Sequence, residues 1–150
     1  MFAIRSPFAV ASLAISATLF SIPATAQFAK PDDAVKYRQS SMFVMSNHMG
    51  RLGAMARGDR PFDAAAAQYS ARVVETLSRA AWDGFAKGAD SKRAKSEIWS
   101  SDADFKAQQD KLMAETGKLV EAAAGLDTLK RQAGAVGAAC KSCHDKFRND

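Results

Sequence analysis

The feature that most constrains this chain lies at its end: Cys140-Lys141-Ser142-Cys143-His144, with six residues after the histidine. Cys143 lies three residues and His144 four residues beyond Cys140, so on a helix both thiols and the imidazole leave from one face. The fold must hold an open but sheltered volume against that face. Two thiols separated by two residues and followed at once by histidine form the pattern for covalent haem attachment. Each thiol adds across one vinyl group, and the adjacent imidazole is held where it meets the iron.

Other uses of a Cys-x-x-Cys pair fit less well. A thioredoxin-like redox pair opens a helix after a strand, and no strand-like alternation precedes Cys140. A zinc site needs two further ligands, whereas the chain has one other histidine, His48, and no other cysteine. A disulfide between residues three apart would close too short a loop to stabilise much.

Met1–Ala26 reads as an export leader. Arg5 supplies the positive start, Phe8–Ile22 an apolar stretch too short and weak for a spanning helix, and Ala24-Thr25-Ala26 a small-x-small cleavage site. The mature chain then begins at Gln27 as one domain, residues 27–150, with the periplasm as its address. Removing the leader takes away Arg5 and no acidic residue, lowering the net charge from +5 to +4. Basic residues are spread along the sequence; the densest run is Lys92-Arg93-Ala94-Lys95. Nucleic-acid binding and membrane association are therefore not expected, and a diffuse positive surface is compatible with an acidic partner. No carboxylate pair, nucleophile triad or phosphate-cradling glycine loop points to an enzyme of hydrolysis or group transfer.

The pattern of apolar residues predicts four amphipathic helices. The first opens at Pro31 with Asp32 and Asp33 in its first turn and stops at Gly58, with Val35, Arg38, Met42, Met45, Met49 and Leu52 on one face. The second is capped by Asp63, runs toward Trp82, and has an apolar stripe of Ala66, Tyr69, Val73 and Leu77. A glycine-bearing, charged connection leads to Trp99, a length unusual in a compact bundle. The third helix is capped by Ser101, lined by Phe105, Leu112, Thr116, Leu119 and Ala123, and ended by Gly125. Asp127 caps the fourth, whose expected buried stripe is Leu129, Ala133, Val136, Cys140, Cys143, His144 and Phe147. Gly134 and Gly137 in that helix leave room either for a neighbouring helix or for a porphyrin. The expectation is an all-α, antiparallel up-down-up-down four-helix bundle with haem in its core.

No methionine follows His144, so a sixth iron ligand would have to come from upstream, among Met42, Met45, Met49, Met55, Met113 and His48. His48 flanks the methionine face and reads as a surface or interface residue. The start Gln27-Phe28-Ala29-Lys30-Pro31, the stretch Lys36-Tyr37-Arg38-Gln39, the region of Trp82, Glu97-Ile98-Trp99 and the terminal haem motif together resemble cytochrome c′, over essentially the whole mature chain. The C-terminal position of the motif separates these class II c-type cytochromes from the common kind.

The resemblance implies a left-handed bundle, frequently a homodimer. It implies one haem c attached through Cys140 and Cys143, with His144 as axial iron ligand. It also implies an iron open on its other side to nitric oxide or carbon monoxide. Arg38 and Gln39 match positions on the propionate side, and Met42 matches the distal residue over the iron, a ligand in low-spin relatives. Glu97 belongs to the motif near the haem edge, preceded by Ser96 where the family often has proline, and Arg148 matches a proximal arginine. The functions implied are one-electron transfer with a redox partner protein, gas binding, or both. The alternatives are a six-coordinate His/Met electron carrier, a pure gas sensor or scavenger, and a thiol-disulfide oxidoreductase.

Overall fold

Pro31 opens α1 (Pro31–Arg57) at a position where a missing N–H costs nothing, and Asp32 and Asp33 follow beside the positive end of the helix dipole. Gly58 ends α1 at φ 84°, a left-handed conformation natural to glycine, and its N–H reaches the Met55 carbonyl. Asp63 caps α2 (Ala64–Ala80), its carboxylate accepting from the Ala66 N–H at 3.0 Å. All three signals act where the sequence places them. The structure, a computed structural model, describes residues 27–149, so the expected leader Met1–Ala26 lies outside the described residues.

A 3₁₀ turn, Ala81–Gly84, follows α2, so the regular helix stops short of Trp82. The short α3 (Glu97–Ser100), α4 (Asp102–Ala122) and α5 (Leu126–Phe147) complete the chain. Two capping expectations fail. Ser101 makes no side-chain cap, and Asp127 lies inside the first turn of α5 while extended Gly125 takes the N-cap position. Here the Thr128 hydroxyl closes the turn, 2.6 Å from the Ala122 carbonyl and 2.8 Å from that of Gly125. It joins the Gly125 N–H on the Ala122 carbonyl and the Leu129 N–H on that of Gly125, tying the end of α4 to the start of α5.

The long helices pack α1 on α2, α2 on α4, α4 on α5 and α5 back on α1, giving the antiparallel four-helix bundle. Leu52, Val74, Leu119, Leu129 and Val136 are wholly buried, each contributing about 1.5–3 kcal/mol. The Ser78 and Thr116 hydroxyls, both wholly buried, pair at 2.7 Å between α2 and α4. Every residue of the expected α4 stripe is buried.

The faces of the other helices need correction. On α1 the buried row is Ala34, Arg38, Ser41, Met45, His48, Leu52 and Met55. Val35, Met42 and Met49 lie half-buried on its flank. The α2 core face is one residue away from the expected stripe: Ala67, Ser70, Ala71, Val74 and Ser78 turn inward, and Tyr69 remains 57% exposed. Small side chains let α2 approach its neighbours closely, and packing outranks hydropathy in choosing the face. On α5, His144 is exposed and Ala139 takes the buried place between Val136 and Phe147.

The connection between α2 and α4 is ordered by two anchors. Gly84 presses against α1 so closely that a Cβ there would sit 2.6 Å from Arg38 Cβ and 2.7 Å from the Ala34 carbonyl. Farther along, Ala94 forms an isolated antiparallel bridge with Arg148. The Lys95 N–H donates to the Phe147 carbonyl at 3.0 Å, and the Asn149 N–H donates to that of Arg93 at 3.1 Å. No extended strand forms among the described residues.

Candidate functional site

The C-terminal third of α5 lies where two apolar clusters meet. Cys140 packs against the main core, together with half-buried Met42 and Met49 of α1. Cys143 packs against a second cluster of Ile98, Phe105 and Phe147, which Trp82, Phe85 and Trp99 enlarge. The ring of Phe105 meets those of Trp82, Phe85 and Phe147 edge-on, at centroid separations of 6.0, 5.0 and 5.2 Å. This aromatic group was not anticipated, although Trp82 and Phe85 stand three apart in the sequence. It braces one side of the thiol pair.

Both cysteines are unpaired and half-buried. Burial raises the pKa of each, and for Cys143, with Cys140 beside it, to about 11. A thiol-disulfide exchanger needs the opposite shift, usually obtained at a helix N-terminus. These thiols lie in the last turns of α5, where the helix dipole disfavours a thiolate. They are poised as neutral groups rather than as redox nucleophiles.

His144 stands beside them at the edge of a polar recess of about 350 Å³, lined by Lys95, Asp145 and Arg148 as well. Desolvation lowers its pKa most, Arg148 and Arg93 lower it further, and Asp145 opposes them. The imidazole is therefore held neutral, with a nitrogen lone pair available to a metal. Lys95 fastens the adjoining connection here, its Nζ donating to the Asp145 carbonyl at 3.2 Å.

The remaining expected site residues are spread around this end of the bundle. Arg38 is buried; its Nη1 donates to the Gly84 carbonyl at 2.7 Å, its Nη2 to Ser91 Oγ at 3.2 Å, and its guanidinium lies 4.7 Å from the Phe85 ring centroid. Its pKa is lowered chiefly by desolvation, partly offset by Asp90. Gln39 is exposed, and so are Glu97 and Arg148; Glu97 accepts from the Ser96 hydroxyl at 3.2 Å. His48 is buried rather than at the surface, its ring edge-on to Tyr69 and its Nδ1 without a partner. It lies in the buried row of α1, away from the Met42 flank.

The donor chemistry suits an iron carried in a macrocycle better than a bare ion. Among the described residues no three His, Cys, Asp or Glu side chains come together to hold a metal. The site offers one imidazole and two neutral thiols. Gly134 and Gly137 add bare backbone on the same helix: a Cβ at either would meet nothing within 4 Å. Both are exposed, so close helix approach is not their reason.

A family model described as Cytochrome C′ matches residues 33–148. The chain belongs to the cytochrome c′ family. It is 46% identical over 124 residues to the cytochrome c′ of Alcaligenes xylosoxydans xylosoxydans, covering 81% of this chain and 98% of that one. The crystal structure of cytochrome c′ from Rubrivivax gelatinosus is 43% identical, with a TM-score of 0.79 over 82% of this chain and 100% of that one. A nitric oxide complex of a cytochrome c′ variant from Alcaligenes xylosoxidans is also similar, at 43% identity and a TM-score of 0.79, over 83% of this chain and 100% of that one. Cytochromes c′ carry covalently bound haem c, and the two cysteines of this chain stand in the matching attachment pattern.

Proposed function

We propose that this cytochrome c′ is a periplasmic protein that transfers single electrons and binds nitric oxide or carbon monoxide at a five-coordinate haem iron. Cys140 and Cys143 hold the haem by thioether bonds, and His144 is its axial ligand. The observation that carries the reading is the placement of two neutral, unpaired thiols and a neutral imidazole on one side of α5, where two apolar clusters meet. The haem supplies the redox and gas-binding chemistry. The chain fixes its plane, shields it from water, and sets what approaches each face.

Met42, half-buried against the main core, would gate the open side of the iron as an apolar thioether. Arg38 and Gln39 face the propionate side, with Arg38 held by Gly84 and Ser91 and keeping further N–H donors to offer. Arg148 lines the recess beside His144 and would act from the proximal side. Glu97, exposed at the start of α3, would stand near the haem edge. Residues 1–26 are the cleaved leader and 27–150 the haem domain; the similarity to Alcaligenes xylosoxydans xylosoxydans cytochrome c′, spanning 124 residues, supports that division. No helix among the described residues is long and apolar enough to cross a membrane.

The protein is also read as a homodimer through the outer face of α1 and α2. There Phe43, Val44 and Tyr69 are 69%, 40% and 57% exposed. Val44 lines a mostly apolar groove of about 490 Å³ with Phe28, Tyr37 and Leu77. Tyr69 of α2 thus lies outside the core, where a second copy would cover it. Val44→Arg should give a monomer in sedimentation, with the haem retained; an unchanged mass would reject this face.

Mass spectrometry of the denatured, exported protein tests the principal reading. It predicts a polypeptide starting at Gln27 with one haem covalently attached, and loss of that attachment in Cys140→Ser/Cys143→Ser. Free, titratable thiols in the exported protein would overturn it.

A further inference from the structure

The bridge between Ala94 and Arg148 gathers charges that are far apart in the sequence. It sets Lys92, Arg93 and Lys95 of the connection beside Lys141, Lys146 and Arg148 at the end of α5, all around exposed His144. Asn149 tightens the join, its side-chain amide donating to the Lys92 carbonyl at 3.0 Å. Two of these cations are neutralised locally: Lys141 by Asp145 at 2.6 Å and Lys146 by Asp104 at 2.5 Å. Among the described residues Lys92, Arg93, Lys95 and Arg148 have no carboxylate partner.

We infer that this basic surface is the docking site for an acidic electron-transfer protein. The inference rests on the electron-transfer reading above and names the surface and kind of partner for it. Lys95 and Arg148 share the recess of His144, and Lys92 and Arg93 adjoin them along the bridge, so an acidic partner seated on these four cations is brought close to the exposed imidazole. The outer face of α1 and α2 exposes Phe43, Val44 and Tyr69, which suit an apolar partner. The run Lys92-Arg93-Ala94-Lys95 carries no aromatic side chain for stacking on bases, which disfavours nucleic acid as the occupant. Fields of this kind raise association rates by about 10- to 1,000-fold and are screened over about 10 Å at 0.1 M salt.

The test uses the haem-loaded protein with an acidic flavodoxin as the probe. Its oxidised form serves for equilibrium binding and its reduced form for electron transfer, at about 10 and about 200 mM ionic strength. The paired variant Lys92→Glu/Arg93→Glu reverses two exposed charges that do not themselves hold the haem. Arg60→Glu makes a single reversal at the opposite, α1–α2 end. At low ionic strength the paired variant should lose about tenfold or more in both affinity and electron-transfer rate, with a shallower salt dependence, and Arg60→Glu should change each less than about twofold. Equal behaviour of the two variants, salt-independent binding by the parent, or equally tight binding of duplex DNA would overturn the proposed surface. Binding that is lost in the paired variant but gives no electron transfer in the parent would uphold the surface and reject the electron-transfer reading instead.

Discussion

Replacing Gly84 by alanine should destabilise the protein by about 3 kcal/mol. The added Cβ would lie 2.6 Å from Arg38 Cβ, 2.7 Å from the Ala34 carbonyl oxygen and 2.9 Å from the Arg38 nitrogen. All three atoms belong to the α1 backbone or directly to it, so no side chain can swing aside. Ordinary contact at 3.4 Å requires the turn to retreat by about 0.8 Å. The retreat strains the packing, at about 1–3 kcal/mol. It also stretches the 2.7 Å bond from Arg38 Nη1 to the Gly84 carbonyl, a buried charged hydrogen bond whose loss costs about 1.5–3 kcal/mol. The smaller entropy of an unfolded alanine chain returns about 0.4–1 kcal/mol. For a domain of this size the net effect is a fall of about 10 °C in the thermal midpoint, read by far-ultraviolet circular dichroism of the haem-loaded protein. Gly50→Ala is the control, because its Cβ would meet nothing within 4 Å and alanine favours the helix by up to about 1 kcal/mol. A Gly84→Ala midpoint within about 3 °C of the parent would refute the reasoning from close approach.

Three further outcomes are expected. Thr116→Val and Ser78→Ala should each cost about 1–2 kcal/mol in denaturant unfolding, and the double variant clearly less than their sum, because the two hydroxyls pair at 2.7 Å; strict additivity would contradict that pairing. Met42→Ala should speed carbon monoxide entry about tenfold, equivalent to about 1.4 kcal/mol off the barrier, and leave ferrous iron high-spin in stopped-flow and optical spectra; a change from low to high spin would make Met42 a ligand. His48 has its pKa lowered by burial first and Arg51 second, so the folded state holds it neutral. The unfolded state then binds the extra proton, and stability should fall as pH drops below about 6.5. His48→Leu should flatten that fall, and identical pH slopes for parent and variant would reject it.

The long-range order of the chain was legible where a single residue decides the backbone. Pro31, Gly58 and Asp63 act through their own ring, φ angle or carboxylate, so the bounds of α1 and the start of α2 follow from local chemistry. The α2 face was misread because its core side is made mostly of small residues, Ala67, Ser70, Ala71 and Ser78 beside Val74, which mark a stripe weakly, whereas the large ring of Tyr69 points outward. The motif at Cys140, Cys143 and His144 was readable from spacing alone. Its surroundings were not, because they depend on contacts between distant segments. The Ala94–Arg148 bridge, the Arg38–Gly84 bond and the Phe105–Phe147 contact each join residues more than forty apart. The basic surface is the clearest instance: its residues looked scattered until the bridge drew two segments together.

The most direct test of the account is the optical and electron paramagnetic resonance spectrum of the purified haem-loaded protein, ferric and ferrous, before and after carbon monoxide is added. A high-spin iron that takes up carbon monoxide readily is the predicted result, with His144 as the axial ligand from the protein and Met42 as a gate. A low-spin iron indifferent to carbon monoxide would contradict it, making Met42 a sixth ligand and the protein a dedicated electron carrier.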